Sequence, residues 1–140
     1  MRVENWDSKL ELVIKELKNK EKFIFGKNDC LTFPVECIEA ITGIKVFNNK
    51  YKSIKEAKKI LKKMKSKGIL DVALENAKKY NFKEIDIDKA QKGDVLYYTS
   101  STSELNGTLG VCIGEKIMFN WKKSIVLIDK VYCKIAWRIE

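Results

Sequence analysis

Cys30 is the residue of this chain best placed to do chemistry. It heads an apolar series, Phe33, Cys37, Ile38 and Ile41, that recurs at helical spacing behind a turn at Gly26-Lys27-Asn28. A helix amino terminus carries partial positive charge and unpaired N–H groups that favour a thiolate, whereas the neighbouring Asp29 carboxylate opposes one. The expected net effect is a modest lowering of the thiol pKa. A thiol hydrolase also needs a base that titrates near neutrality, and imidazole is the side chain suited to that task. The chain contains no histidine. It therefore offers a nucleophile position without the ordinary base.

The remaining cysteines, Cys37, Cys112 and Cys133, fall in apolar patterns and read as core residues. No CxxC spacing occurs, and the mixed cysteine and histidine zinc sites are excluded, so four free thiols, no metal and no cofactor are expected. Gly93-Asp94 has a structural reading, with glycine supplying a turn conformation and Asp94 bonding local backbone before a strand. Pro34 is a local oddity. If Asp29 caps the helix, the proline ring crowds the Cys30 carbonyl, so the helix must start late or bend.

The elements that position these residues follow from periodicity. Trp6, Leu10, Val13, Ile14 and Leu17 predict an opening helix, with Ser8 and Glu11 as a capping box. Asp29 caps a second helix that Gly43 closes in the left-handed conformation. Ser53 and Glu56 cap a third over Ile54, Ala57, Ile60, Leu61 and Met64, ended by Gly68, and residues 69–80 form a fourth. After Phe82 the pattern changes to short β-rich runs at 95–98, 109–113, 117–119, 124–128 and 134–139. Gly114-Glu115-Lys116 is short enough to turn a hairpin between two of them. Helices followed by strands predict an α+β fold, the N-terminal helices packed on one side of a C-terminal antiparallel sheet that runs as a meander.

At 140 residues, 45% hydrophobic and 34% charged, with one proline, the chain is expected to fold as a single domain over 1–140. The start, Met1 to Trp6, lacks the features of a signal peptide, and no apolar run reaches membrane-spanning length. Synthesis in the cytoplasm and no membrane insertion are the expectations.

The formal net charge is +9, and every basic residue except Arg2 and Arg138 is lysine. Specific base readers lean on arginine's planar fork, which argues against sequence-specific nucleic-acid recognition. Abundant lysine, isoleucine and asparagine point to an AT-rich genome behind part of the charge. Lysines are concentrated from Lys45 to Lys67, opposed there only by Glu56. The run reads as the solvated face of an amphipathic helix. Through Lys55, Lys58, Lys59, Lys62 and Lys63 it also offers weak docking to a polyanion such as DNA, teichoic acid or an acidic protein.

Three segments in order, Phe25-Gly26-Lys27-Asn28-Asp29-Cys30, Gln91-Lys92-Gly93-Asp94-Val95-Leu96-Tyr97-Tyr98 and Thr108-Leu109-Gly110-Val111-Cys112-Ile113-Gly114, resemble the landmarks of NlpC-type peptidoglycan endopeptidases, a permuted branch of the papain-like superfamily. From Trp6 through Ile41-Thr42-Gly43 to Ala136-Trp137-Arg138, the chain is similar to a small phage and prophage branch found among tail genes. The resemblance implies that Cys30 holds the nucleophile position, Thr108 that of the histidine, and Asn120 that of the third polar residue. Thr108 cannot accept a thiol proton at neutral pH. Asp29, Asp94 and Trp121, the last expected beside Asn120 above the cleft, are candidate binding residues.

Three functions follow as expectations. The first is a non-catalytic papain-like domain in a phage or prophage tail, with tail proteins as partners and the virion as location. The second is a cysteine hydrolase of peptidoglycan peptide stems, or an acyl transferase, using Cys30 with a lysine or carboxylate base. The third is a basic nucleic-acid-binding protein.

Overall fold

Leu10, Ile14 and Leu17 recur every three or four residues and all are buried, so helix α1 (Trp6–Asn19) lays one apolar side on the core. The computed structural model describes residues 1–19, 29–47, 50–63, 68–99, 107–121 and 124–140. The expected turn at Gly26-Lys27-Asn28, and Met64, Lys65 and Lys67, lie outside these residues. Helix α1 starts two residues ahead of Ser8, so Ser8 is not its cap, and Glu11 pairs instead with Lys92.

Helix α2 (Thr32–Thr42) ends on Gly43, whose φ of +77° lets its N–H reach Glu39 O at 2.7 Å. Its start shows how the chain accommodates Pro34. Because the first helical residue is Thr32, Pro34 is the third, where a helix has no intrahelical use for an N–H. Helix α3 (Ile54–Lys63) has the expected capping pair: Ser53 Oγ accepts from Glu56 N–H at 3.2 Å, and Glu56 Oε2 accepts from Lys52 N–H at 2.8 Å. Helix α4 (Ile69–Tyr80) closes on Asn81, which also adopts the left-handed conformation. No helix among the described residues is long and apolar enough to cross a membrane.

Six strands follow: β1 (Lys83–Ile85), β2 (Val95–Tyr98), β3 (Thr108–Cys112), β4 (Ile117–Trp121), β5 (Ser124–Ile128) and β6 (Ile135–Arg138). All pairings are antiparallel, in the order β1-β6-β2-β3-β4-β5. The fold is therefore α+β, as expected, with two departures. Strand β1 is additional, and the sheet is not a simple meander: β2 to β5 run consecutively, but β6 crosses back to lie between β1 and β2.

Both faces of the sheet are covered. Val95, Tyr97, Leu109, Val111, Met118 and Trp137 join the helix-side core, whereas Leu96, Cys112, Ile117, Phe119 and Ala136 form a second cluster on the other side. Two 3₁₀ turns, Ile87–Lys89 and Lys130–Tyr132, lie beside that second cluster, which includes the adjoining Ala90 and Cys133. The strict period-two division explains why these strands read as continuous apolar runs.

Gly110 makes the second core possible. A Cβ there would lie 2.6 Å from Phe119 Cε1 and 2.8 Å from Ile117 Cγ2, and both side chains are fully buried. Gly110→Ala is expected to destabilise the protein by about 1–3 kcal/mol through overpacking, read as a lower urea midpoint. An unchanged midpoint would mean that the Phe119 ring has room to move.

Candidate functional site

The segment before α2 is organised by one carboxylate. Asp29 is 0% exposed, and its Oδ1 accepts from Leu31 N–H at 2.9 Å and Thr32 N–H at 2.8 Å. Its own N–H donates to Thr32 Oγ1 at 2.8 Å, closing a reciprocal cap. Oδ2 accepts the Tyr51 hydroxyl at 2.5 Å, a bond spanning 22 residues. Burial, and then the Asp29 charge, push the Tyr51 phenol well above its usual range. The carboxylate is spent on holding the chain, which gives Asp29 a structural role.

Cys30 is held by this knot, half-buried, one residue ahead of the helix cap at Leu31. Its thiol is pushed up to about 12, first by burial and then by the Asp29 charge. Its own backbone and the Thr108 hydroxyl lower it by smaller amounts. The expected lowering by the helix terminus is thus reversed, because loss of water around the sulfur outweighs a dipole that begins a residue later. The other three thiols are free, buried and raised, Cys133 to about 11, with burial the largest cause in each.

Thr108 opens β3 beside Cys30. Its side chain is buried, and its hydroxyl lies near enough to the thiol to lower the thiol pKa slightly, although Oγ1 makes no hydrogen bond of ordinary geometry. Asn120 on β4 is also buried, and its Nδ2 donates to Asp29 O at 3.2 Å. The structure thus brings Cys30, Thr108 and Asn120 together through the Asp29 segment, joining α2, β3 and β4.

Two candidate residues lie elsewhere. Strand residues alternate sides, so Trp121 points away from its neighbour Asn120, and its ring meets Tyr98 edge-on at 6.5 Å between centroids. Asp94 is at the wrong end of the sheet: Tyr98 pairs with Thr108, which puts Asp94 four residues, or roughly 13 Å, further along β2. Its carboxylate is fully buried, accepting from Gln91 N–H at 2.8 Å and Arg138 Nε at 2.9 Å. Gly93, at φ +96°, brings the turn against Trp6, and Lys92 ties it to α1 through Asp7 at 2.6 Å and through Glu11. The turn reading of Gly93-Asp94 describes this arrangement.

Tyr51 is the residue that sequence reasoning missed. Its one signal is an aromatic ring between Lys50 and Lys52, in a stretch otherwise lacking large apolar groups until Ile54. Among the described residues, no three histidine, cysteine, aspartate or glutamate side chains converge as a metal site would require.

A family model described as a domain of unknown function (DUF6950) matches residues 1–139 of the chain. No curated protein and no solved structure matches it.

Proposed function

The chain belongs to the DUF6950 family, and from that membership, which carries no activity with it, we propose that it is a catalytically silent papain-like domain of the NlpC type, serving as a structural or assembly component of a phage or prophage tail. The observation that carries the silent part is the pairing of Cys30 with Thr108. Where a thiol hydrolase needs a proton acceptor, a hydroxyl faces a thiol raised to about 12.

Support for the fold type comes from the order of the parts: an Asp29-Cys30 segment leading into a helix, a strand opening at Thr108, and Asn120 on the next strand bonded back to Asp29. The tail assignment rests on the resemblance to the phage branch, since a fold does not fix a function. A hydrolase or acyl transferase with another base finds no acceptor in Asp29. That carboxylate already holds three donors, and its charge raises the thiol pKa instead of relieving it.

Two measurements test the proposal. Incubation with purified peptidoglycan is expected to release no muropeptides, and the chain is expected in purified tail particles at the same level with or without Cys30→Ser. Muropeptide release abolished by Cys30→Ser would replace the silent reading with the hydrolase. Absence of the chain from particles would remove the tail assignment.

A further inference from the structure

Seven lysines and one glutamate occupy residues 50–63, a net +6 of the chain's +9. On α3, Lys55, Lys58, Lys59, Lys62 and Lys63 are all exposed, while Ala57 and Leu61 are buried. At 3.6 residues per turn the five lysines fall within an arc of about 140° opposite the buried stripe. Lys50, Lys59, Lys62 and Lys63 also line one shallow groove, with Ile60 and Glu56.

Among the described residues the charge of this patch is uncompensated. Three lysines elsewhere meet carboxylates: Lys89 with Asp86, Lys92 with Asp7 and Glu11, and Lys116 with Asp129. Among the described residues Lys50 and the five α3 lysines have no such partner. Glu56, the one acid of the segment, is turned back onto Lys52 N–H as a helix cap.

From this placement we infer that α3 and its groove form a docking surface for the phosphate backbone of duplex nucleic acid, independent of sequence. This inference goes beyond the tail reading and stands apart from it. Lysine supplies point charges and no planar fork, which suits phosphates and leaves bases unread. Tyr51 is buried and turned to Asp29, so among the described residues the patch has no aromatic face on which unpaired bases could stack. Among the described residues no large exposed apolar side chain lies in it to anchor a membrane or a protein partner. A duplex carries about one charge per 1.7 Å of axis, against the roughly 15 Å length of α3, and so releases more counterions per lysine than a sparser polymer such as a teichoic acid.

The test is fluorescence polarisation with the full chain and labelled duplexes of about 20 base pairs in two unrelated sequences. Binding engaging four or five lysines is expected to weaken about 250-fold between roughly 50 and 200 mM salt, equally for both sequences. Replacing Lys55, Lys58, Lys59, Lys62 and Lys63 with glutamine should weaken binding at least tenfold at low salt and flatten the salt slope. A control replaces the exposed Lys78, Lys79, Lys83, Lys89 and Lys116 with glutamine, removing the same charge elsewhere, and should retain most of the affinity. Circular dichroism checks that both variants fold. No binding at about 50 mM salt, equal loss in both variants, or a preference between the sequences would overturn the inference. Stronger competition by poly(glycerol phosphate) than by unlabelled duplex, at equal phosphate, would assign the surface to a wall polymer instead.

Discussion

Asp29→Ala is expected to cost the fold about 3–5 kcal/mol, the range for removing one partner from a buried charged network. The loss arises because three donors are stranded together: the Leu31 and Thr32 N–H groups and the Tyr51 hydroxyl. The bonds from Leu31 N–H and the Tyr51 hydroxyl are buried, so those two donors cannot readily turn to water. Domains of this size are stable by about 5–15 kcal/mol, so the variant would stand near the edge of folding at ambient temperature. Tyr51→Phe is the graded control. It removes one donor, leaves the two backbone bonds in place, and should cost only about 1–2 kcal/mol. Urea unfolding followed by tryptophan fluorescence measures both. A loss below about 1 kcal/mol for Asp29→Ala would show that the carboxylate is not the knot of this segment.

The second large effect is on thiol reactivity. Relative to an ordinary thiol at 9.0, a Cys30 pKa of about 12 leaves roughly a thousandfold less thiolate near neutral pH. The more basic thiolate regains a factor of about 20–30 through its greater intrinsic nucleophilicity. Iodoacetamide should therefore label Cys30 about 40-fold more slowly in the native protein than in urea. The native rate should climb about tenfold per pH unit from 7 to 10, whereas the unfolded chain levels off above 9. Peptide mapping separates Cys30 from the three buried thiols. Labelling that saturates below pH 8 would mean that the cysteine has found a base. Stability follows with a definite sign: the unfolded thiol ionises above 9.0 while the folded one resists to about 12, so the contribution of this site is full below pH 9 and is lost as pH rises across that window.

Local order was largely legible in the sequence. The Ser53 and Glu56 cap, the Gly43 stop and the 114–116 hairpin are each decided within a few residues, and each forms as read. Long-range facts were not. Strand β1 has Lys83 and Glu84 exposed and no apolar alternation to announce it, because it gains its place by pairing with β6 more than 50 residues away. The partnership of Tyr51 with Asp29 is equally invisible from spacing. Trp121 follows Asn120 in the chain, but period-two alternation sets the two side chains on opposite sides of the strand, and its contact with Tyr98 is a cross-strand one that spacing does not display. The thiol pKa was misjudged because the sequence displays the helix end and the nearby carboxylate but not the packing that strips water from the sulfur.

The position of β6 in the sheet also governs the order in which the protein can assemble. Strands β2 to β5 can zip together through short connections, each hairpin closing on its neighbour. Strand β6 must return to β2 across about 40 residues of chain, and loop closure of that length is what slows β-rich folding. Strand β1, although it precedes all the others in the chain, has no partner until β6 has docked. The sheet is therefore complete only once β6 has docked beside β2, and the segment leading from α4 into the sheet has no strand to pair with before then.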